Sequence, residues 1–265
     1  MEKSYSIRVS SQRGGVGKTT ISVNLAVALG MLNYKVLLVD TDFESPAVGN
    51  FLGLESVNIG IADVAKGKAT FQKTIIRHNV SGINVLPGTL MQNGGPSELK
   101  LKAVLKKIMS LKDYDFIIVD TQPGQASHEL AELYDEALIV TTPTMTSIGN
   151  SIKLASIYNK EHVIHDMVVN RTTSKQYELN NSEIEEGYGN RPIISLPEDP
   201  KVPLSEAQHI PVWILSPSSP FCQSLRVLVK FYASKKGGTI DREPGEGSGI
   251  RAAILRFVRK ILGFG

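Results

Sequence analysis

The nine residues Gln12-Arg13-Gly14-Gly15-Val16-Gly17-Lys18-Thr19-Thr20 mix three glycines with two cations and two hydroxyls. Glycine lets a backbone wrap tightly, so successive N–H groups converge on one anion. Lys18 adds a point charge suited to β- and γ-phosphates, and the Thr19 hydroxyl can ligate Mg²⁺ directly. The stretch follows a strand-like run and opens a helical one, so the helix N-terminus adds the positive end of its dipole. The chemistry that fits Arg13–Thr20 is the cradling of a nucleoside triphosphate with its magnesium ion. The competing reading is a glycine-rich turn with a chance Gly-Lys-Thr.

Further polar groups stand at the ends of apolar runs. Asp40 and Asp42 follow Val36-Leu37-Leu38-Val39, and Asp120 follows Phe116-Ile117-Ile118-Val119. Asp120 is able to hold a water ligand of Mg²⁺, although Asp42 and Asp120 each alone would also suit a helix or turn cap. Asn170-Arg171 closes Met167-Val168-Val169, and Pro197-Glu198-Asp199 follows another short run. Asparagine and proline are also ordinary turn residues.

Strands are expected at Tyr5–Ser10, Lys35–Asp40, Ile83–Leu86, Phe116–Asp120, Ala137–Thr141, Val163–Val169 and Pro192–Leu196. All read as short, continuous apolar runs of the kind covered on both faces. Helices are expected at Lys18–Met31, Ser97–Ser110, Ser147–Tyr158 and Pro220–Ala233. Alternation of the two predicts an α/β fold with right-handed crossovers and a mainly parallel sheet. Ligands of such sheets sit outside the carboxyl ends of the strands, where these polar groups lie.

The loop, with Asp40-Thr41-Asp42 and Asp120-Thr121-Gln122-Pro123-Gly124, resembles the deviant Walker A ATPases of the MinD/ParA superfamily from about Ser6 to about Ala233. The resemblance implies a doubly wound, mainly parallel sheet flanked by helices, a P-loop NTPase of the SIMIBI type, which dimerises face to face around two ATP molecules. It implies that Gly14, Gly15, Val16, Gly17, Lys18, Thr19 and Thr20 hold the phosphates. Asp42 in switch I would orient the attacking water, and Asp42 and Asp120 would hold Mg²⁺ through water. Gly124 in switch II would sense the γ-phosphate through its N–H. Asn170 and Arg171, with Pro197, Glu198 and Asp199, would hold adenine. Members carry a signature lysine that reaches the partner's phosphates; here Arg13 stands in its place. Charge is retained and a guanidinium grips phosphate with two hydrogen bonds, so Arg13 is expected to act in trans, beside the reading that it serves only its own subunit. Lys18, Asp42 and Arg13 are the expected catalytic groups.

Residues 237–249 hold five glycines and several charges, the composition of a linker between residues 1–236 and a last segment, 250–265. There Ile250, Ile254, Phe257, Val258, Ile261 and Leu262 recur at helical spacing, and the only charges are Arg251, Arg256, Arg259 and Lys260. An apolar stripe with a cationic rim suits an anionic membrane surface; docking on the protein's own core or a partner is the alternative. MinD proteins end in a similar segment. The expected life of the chain is therefore cytoplasmic, peripheral on the inner membrane face when ATP-bound, as an ATP-dependent homodimer with an unidentified activator or cargo. A ParA-like partitioning ATPase on DNA is the second reading, but Phe43-Glu44-Ser45-Pro46 lacks the Pro-Gln of that branch. The uncharged stretch Pro143–Asn150 argues against carrying over the familiar partners.

Bulk properties are compatible with these expectations. The 265 residues carry a net charge of +3, and the 42% hydrophobic content is enough for one large core. A single cysteine, Cys222, excludes a disulfide framework and, lying outside any motif, argues against the paired-cysteine iron–sulfur carriers of the superfamily. Cys222 and Trp213 read as packing residues, and His162 and His165 lack partners at metal-site spacing. No secretory leader and no run of about 18 apolar residues is discerned.

Overall fold

The computed structural model describes residues 3–54, 57–91, 95–124 and 128–237. The expected linker beyond Gly237 and the amphipathic segment 250–265 lie outside the described residues. In chain order the elements are β1 (Tyr5–Ser10), α1 (Lys18–Met31), β2 (Val36–Asp40), α2 (Val48–Phe51), α3 (Ile61–Ala65) and α4 (Phe71–Thr74). Then come β3 (Ile76–Arg77), β4 (Asn84–Leu86), α5 (Glu98–Met109), β5 (Phe116–Asp120), α6 (His128–Ala131) and β6 (Glu136–Thr141). The rest are α7 (Met145–Lys160), β7 (His165–Thr172), α8 (Asn181–Tyr188), β8 (Ile194–Pro197), α9 (Lys201–Ala207), α10 (Val212–Leu215) and α11 (Pro220–Ser234).

The strands form one sheet in the order β3-β4-β2-β5-β1-β6-β7-β8, parallel throughout except for the β3–β4 pair. Alternate strand residues face opposite sides of the sheet, one side covered by a single large core and the other by smaller clusters. Val36 and Leu38, Phe116 and Ile118, and Leu138 and Val140 face a core shared with α1, α10 and α11. Leu37, Val39, Ile117 and Val119 face the other side, under α3 and α5. Both faces being covered is why β2 and β5 read as unbroken apolar runs. Strand β1 departs from that expectation. Its Ile7 and Val9 enter the first core, whereas Ser6, Arg8 and Ser10 point the other way and are still buried. Ser6 bonds Asp135, Arg8 lies 5.6 Å over the Tyr134 ring, and Ser10 accepts from the Tyr158 hydroxyl. A buried polar face is tolerated because each residue has a partner, the two serines through hydrogen bonds and Arg8 over an aromatic ring.

Helix α1 is buried on all sides from Ile21 to Leu29, so it carries no amphipathic stripe. Helix α11 is tied at its far end to the N-terminal edge of the sheet. The buried Glu136 carboxylate accepts from Tyr5 and Tyr232 at 2.6 and 2.7 Å and has Lys235 at 3.6 Å. Desolvation raises the Glu136 pKa against the pull of the two hydroxyls.

The last turn of α1 passes very close to the β3–β4 turn. A Cβ at Gly30 would lie 2.4 Å from the Ile83 side chain and 2.7 Å from the Ser81 carbonyl oxygen. Alanine would gain up to about 1 kcal/mol of helix propensity but overpack a backbone contact, at roughly 1–3 kcal/mol. Gly30→Ala is therefore expected to lower the urea midpoint; a midpoint at or above that of the parent would refute this packing.

Candidate functional site

The glycine loop leaves β1 and closes on α1. Gly15 and Gly17 have φ of 75° and 96°, in the left-handed region that favours glycine. At Gly17 a side chain is also excluded sterically, because a Cβ would fall 2.2 Å from Asn170 Nδ2. That amide reaches in from β7 and donates to the Val16 carbonyl at 2.8 Å. Ser11 braces the loop from below by donating to the Arg13 carbonyl at 2.6 Å. Gly14, Gly15 and Arg13 are exposed at the rim, whereas Val16, Lys18 and Thr20 are buried.

Because β5 pairs directly with both β1 and β2, Asp120 lies beside the loop and opposite Asp40 in register. Its two oxygens accept from Thr19 Oγ1 at 2.6 Å and Ser22 Oγ at 2.9 Å, gripping the first turn of α1. Asp40 accepts from the N–H groups of Asp42, Ala47 and Val48 at 3.0–3.2 Å, so it holds the segment after β2 in place. Asp42 caps a turn of that segment, accepting from Glu44 and Ser45. Asp42 thus has the capping role weighed from sequence, and Asp40 holds its segment in a similar way; Asp120 is no cap but a clamp on the loop.

Burial raises the pKa of both Asp40 and Asp120. The neighbouring Asp120 charge raises Asp40 further, while Thr19 and the Lys18 charge oppose the shift at Asp120. Lys18 is itself desolvated, which lowers its pKa, with Asp120 and Asp42 pulling the other way. A polyphosphate against Lys18 and a divalent cation against Asp120 would compensate these buried charges. Among the described residues no group of three or more His, Cys, Asp or Glu is placed to hold a metal. Thr19 with Asp120 and phosphate oxygens fits Mg²⁺, which keeps waters and takes few protein ligands.

A crevice of about 70 Å³ opens beside the loop, lined by Thr20, Asn170, Arg171, Pro197, Glu198 and Asp199, with Val202, Pro203, Glu206 and Phe221. The structure therefore brings every residue expected around a base to one place. Strand β7 continues through Asn170 and Arg171, two residues past the expected edge Val169 and on to Thr172, because its register with β8 slips between Val169 and Thr172. Arg171 sits there at φ 61°. Such a slip turns neighbouring side chains apart: Asn170 is buried against the loop and Arg171 is exposed, 3.8 Å from Glu198. Asp199 is buried and structural, accepting from Lys201 and Phe221 N–H groups. Gly124 has φ 72°, and its N–H donates to the Ser11 carbonyl at 2.9 Å.

Sequence reasoning missed Ser22, the second hydroxyl on Asp120, and Glu206, which accepts from Thr20 at 3.0 Å in the crevice. Ser22 lies three positions beyond Thr19, on the same helical face, and was open to that argument. Glu206 is 186 residues from its partner and carries no local signal. Cys222 and Trp213 are buried in the core as expected.

Residues 4–149 match the AAA domain family AAA_31. An uncharacterized ATP-binding protein of Methanocaldococcus jannaschii is 30% identical over 263 residues, 97% of this chain and 96% of that protein. The septum site-determining protein MinD of Synechocystis sp. is 32% identical over 180 residues, 66% of this chain and 67% of that protein. The septum site-determining protein MinD of Pyrococcus horikoshii, solved with Mg-ADP, superposes with a TM-score of 0.82 at 26% identity, covering 88% of this chain and 98% of its own.

Raised carboxylate pKa values set opposite pH trends for stability and binding. The folded chain keeps protons that the unfolded chain releases, so the unliganded protein gains stability as pH falls from 8 to 6. A divalent cation beside Asp120 would need that carboxylate ionised, so affinity for Mg²⁺ with a fluorescent ATP analogue is expected to fall over the same interval. Asp120→Asn should make that slope shallower; an unaltered slope would remove Asp120 from the ion's surroundings.

Proposed function

This chain belongs to the MinD/ParA superfamily of P-loop ATPases, and we propose that within it the protein is a membrane-cycling switch of the MinD type. ATP joins two copies face to face, their C-terminal segments engage an anionic membrane surface together, and hydrolysis releases them. The cycle positions a division site or another surface structure, with an activator or cargo still to be identified.

The observation that carries this reading is the placement of charge around the loop. Lys18 and Asp120 are buried, as groups acting within one subunit would be, while Arg13 is exposed at the rim. An exposed guanidinium at that position is placed to meet phosphates held by another subunit, where its planar fork gives charge and orientation together. The backbone from Gly14 to Thr20 and the Lys18 ammonium hold the triphosphate. Thr19 directly, and Asp120 and Asp42 through water, would hold Mg²⁺, which when bound spreads the charge that builds on the transferring phosphoryl group. Asp42 orients water from the head of switch I.

Asn170 spends its Nδ2 on the loop, which leaves Oδ1 to accept from the exocyclic amine of adenine. The Arg171–Glu198 pair beside it is half-exposed and contributes little, about 0–1 kcal/mol, so a base displaces it easily. The Gly124 N–H reports on the γ-phosphate by exchanging its Ser11 carbonyl for a phosphate oxygen.

The layout proposed for membrane binding is residues 1–236 as the ATPase domain, 237–249 as linker and 250–265 as the membrane segment; α11 ending at Ser234 supports the first boundary. One such segment holds lipid weakly, and two on a dimer multiply their affinities through effective concentration.

Phosphate release should be slow, well below ~1 s⁻¹, as for intrinsic rates of switch NTPases. Lys18→Ala and Asp42→Ala should each abolish it, and undiminished turnover in both would overturn the catalytic assignment. In sedimentation with phosphatidylglycerol vesicles, the full chain should pellet with ATP and stay soluble with ADP, and deletion of 250–265 should remove the difference. Equal pelleting in all four samples would sink the membrane cycle.

A further inference from the structure

A second cavity lies away from the loop, between α3–α4 and the outer side of α5. It has a volume of about 480 Å³, within the roughly 300–1,000 Å³ of built binding sites. Its walls are Val64, Ala65 and Phe71 on one side and Ala103, Val104 and Leu111 on the other, with the exposed Lys100 and Lys107 at its margin.

Helix α5 explains the groove. Leu101, Leu105 and Ile108 pack on the sheet. Lys100, Val104, Lys107 and Leu111 recur at steps of four, three and four, a stripe beside that face. The short helices α3 and α4 do not cover this stripe, so two helical layers leave a trough open to solvent.

Charge chooses the occupant. The segments that wall the groove, residues 61–74 and 98–111, carry Lys66, Lys68, Lys73, Lys100, Lys102, Lys106 and Lys107 against Asp63 and Glu98 alone. Asp63 is engaged at the head of α3 by the Gly60 N–H, and Lys102 lies 3.3 Å from Glu132. Of the other lysines, Lys100 and Lys107 line the apolar floor directly. The chain's own segment 250–265 has the wrong sign, with four cations and no acid. A bilayer is flat and cannot line a concave trough. An apolar stripe flanked by acids has both the shape and the charge, and an amphipathic helix laid in a groove is a recurrent mode of recognition.

We propose that the α3–α4–α5 groove is a docking site for an acidic amphipathic helix of a protein partner, anchored by apolar side chains over Val104 and Phe71 and framed by Lys100 and Lys107. This assignment does not rest on the membrane cycle proposed above.

The test uses the full chain and two labelled 18-residue peptides with leucines at helical spacing, one filled with glutamates and one with lysines, read by fluorescence anisotropy. The acidic peptide should bind saturably and at least ten-fold more tightly than the basic one. Lys100→Glu/Lys107→Glu should weaken it at least ten-fold and favour the basic peptide, and Val104→Glu should remove binding of the acidic peptide. Circular dichroism and phosphate release unchanged from the parent would show that these variants fold. The proposal fails if both peptides bind alike, if binding ignores all three substitutions, or if the acidic peptide does not bind. It also fails if the charge reversal abolishes vesicle pelleting, which assigns the patch to lipid, or dissolves a self-associated form of the chain, which assigns it to a second copy.

Discussion

Two carboxylates and one ammonium are buried where β2, β5 and the glycine loop meet, and the rest of the site is arranged around that fact. Asp40 and Asp120 are paired residues of adjacent parallel strands, so the sheet itself holds like charges side by side. Burial disfavours ionisation of both. Thr19, Ser22 and three backbone N–H groups offset part of that penalty. What they do not offset would be offset by a divalent cation bound there, so the burial that weakens the empty protein would favour a cation-loaded one. Structural demands at Gly17 follow from this centre too, since Asn170 must come close enough to brace the loop that carries Lys18.

Much of this centre was legible in the chain because its signals are local. The glycines and Lys18-Thr19 lie within nine residues, and Asp40 and Asp120 end runs whose apolar character announces strands buried on both sides. What was not legible depends on contacts made in space. Strand β1 alternates, since its polar side chains are paired inside the fold rather than exposed to water. Helix α8 buries only Ile184 and is held by a capping box between Asn180 and Glu183, so hydrophobic periodicity alone passed over it. Strand β3 has two residues and exists through its antiparallel partner. The Asn170 amide could be foreseen near a nucleotide, but its bond to the Val16 carbonyl could not, because 154 residues separate them.

The walls of the nucleotide centre continue into the neighbouring layer. A Cβ at Gly88 would lie 2.9 Å from Asp40 Cγ, so the turn after β4 rests directly on the carboxylate that holds the segment after β2. That turn also receives the head of α3: Ile61 N–H donates to the Pro87 carbonyl at 2.9 Å, and a Cβ at Gly60 would lie 2.5 Å from the same oxygen. Helix α3 is in turn one wall of the lysine-framed groove. These contacts are backbone against backbone or carboxylate, with no long flexible side chain to absorb a shift. Close-packed contacts of that kind transmit displacement rather than damping it. A change in what Asp40 holds would therefore meet α3 within two steps, and the helix proposed for the groove would act on the same series of contacts from the other end. Nucleotide state and groove occupancy would be coupled to the extent that the two ligands favour different positions of α3, and by linkage that coupling would be equal in both directions.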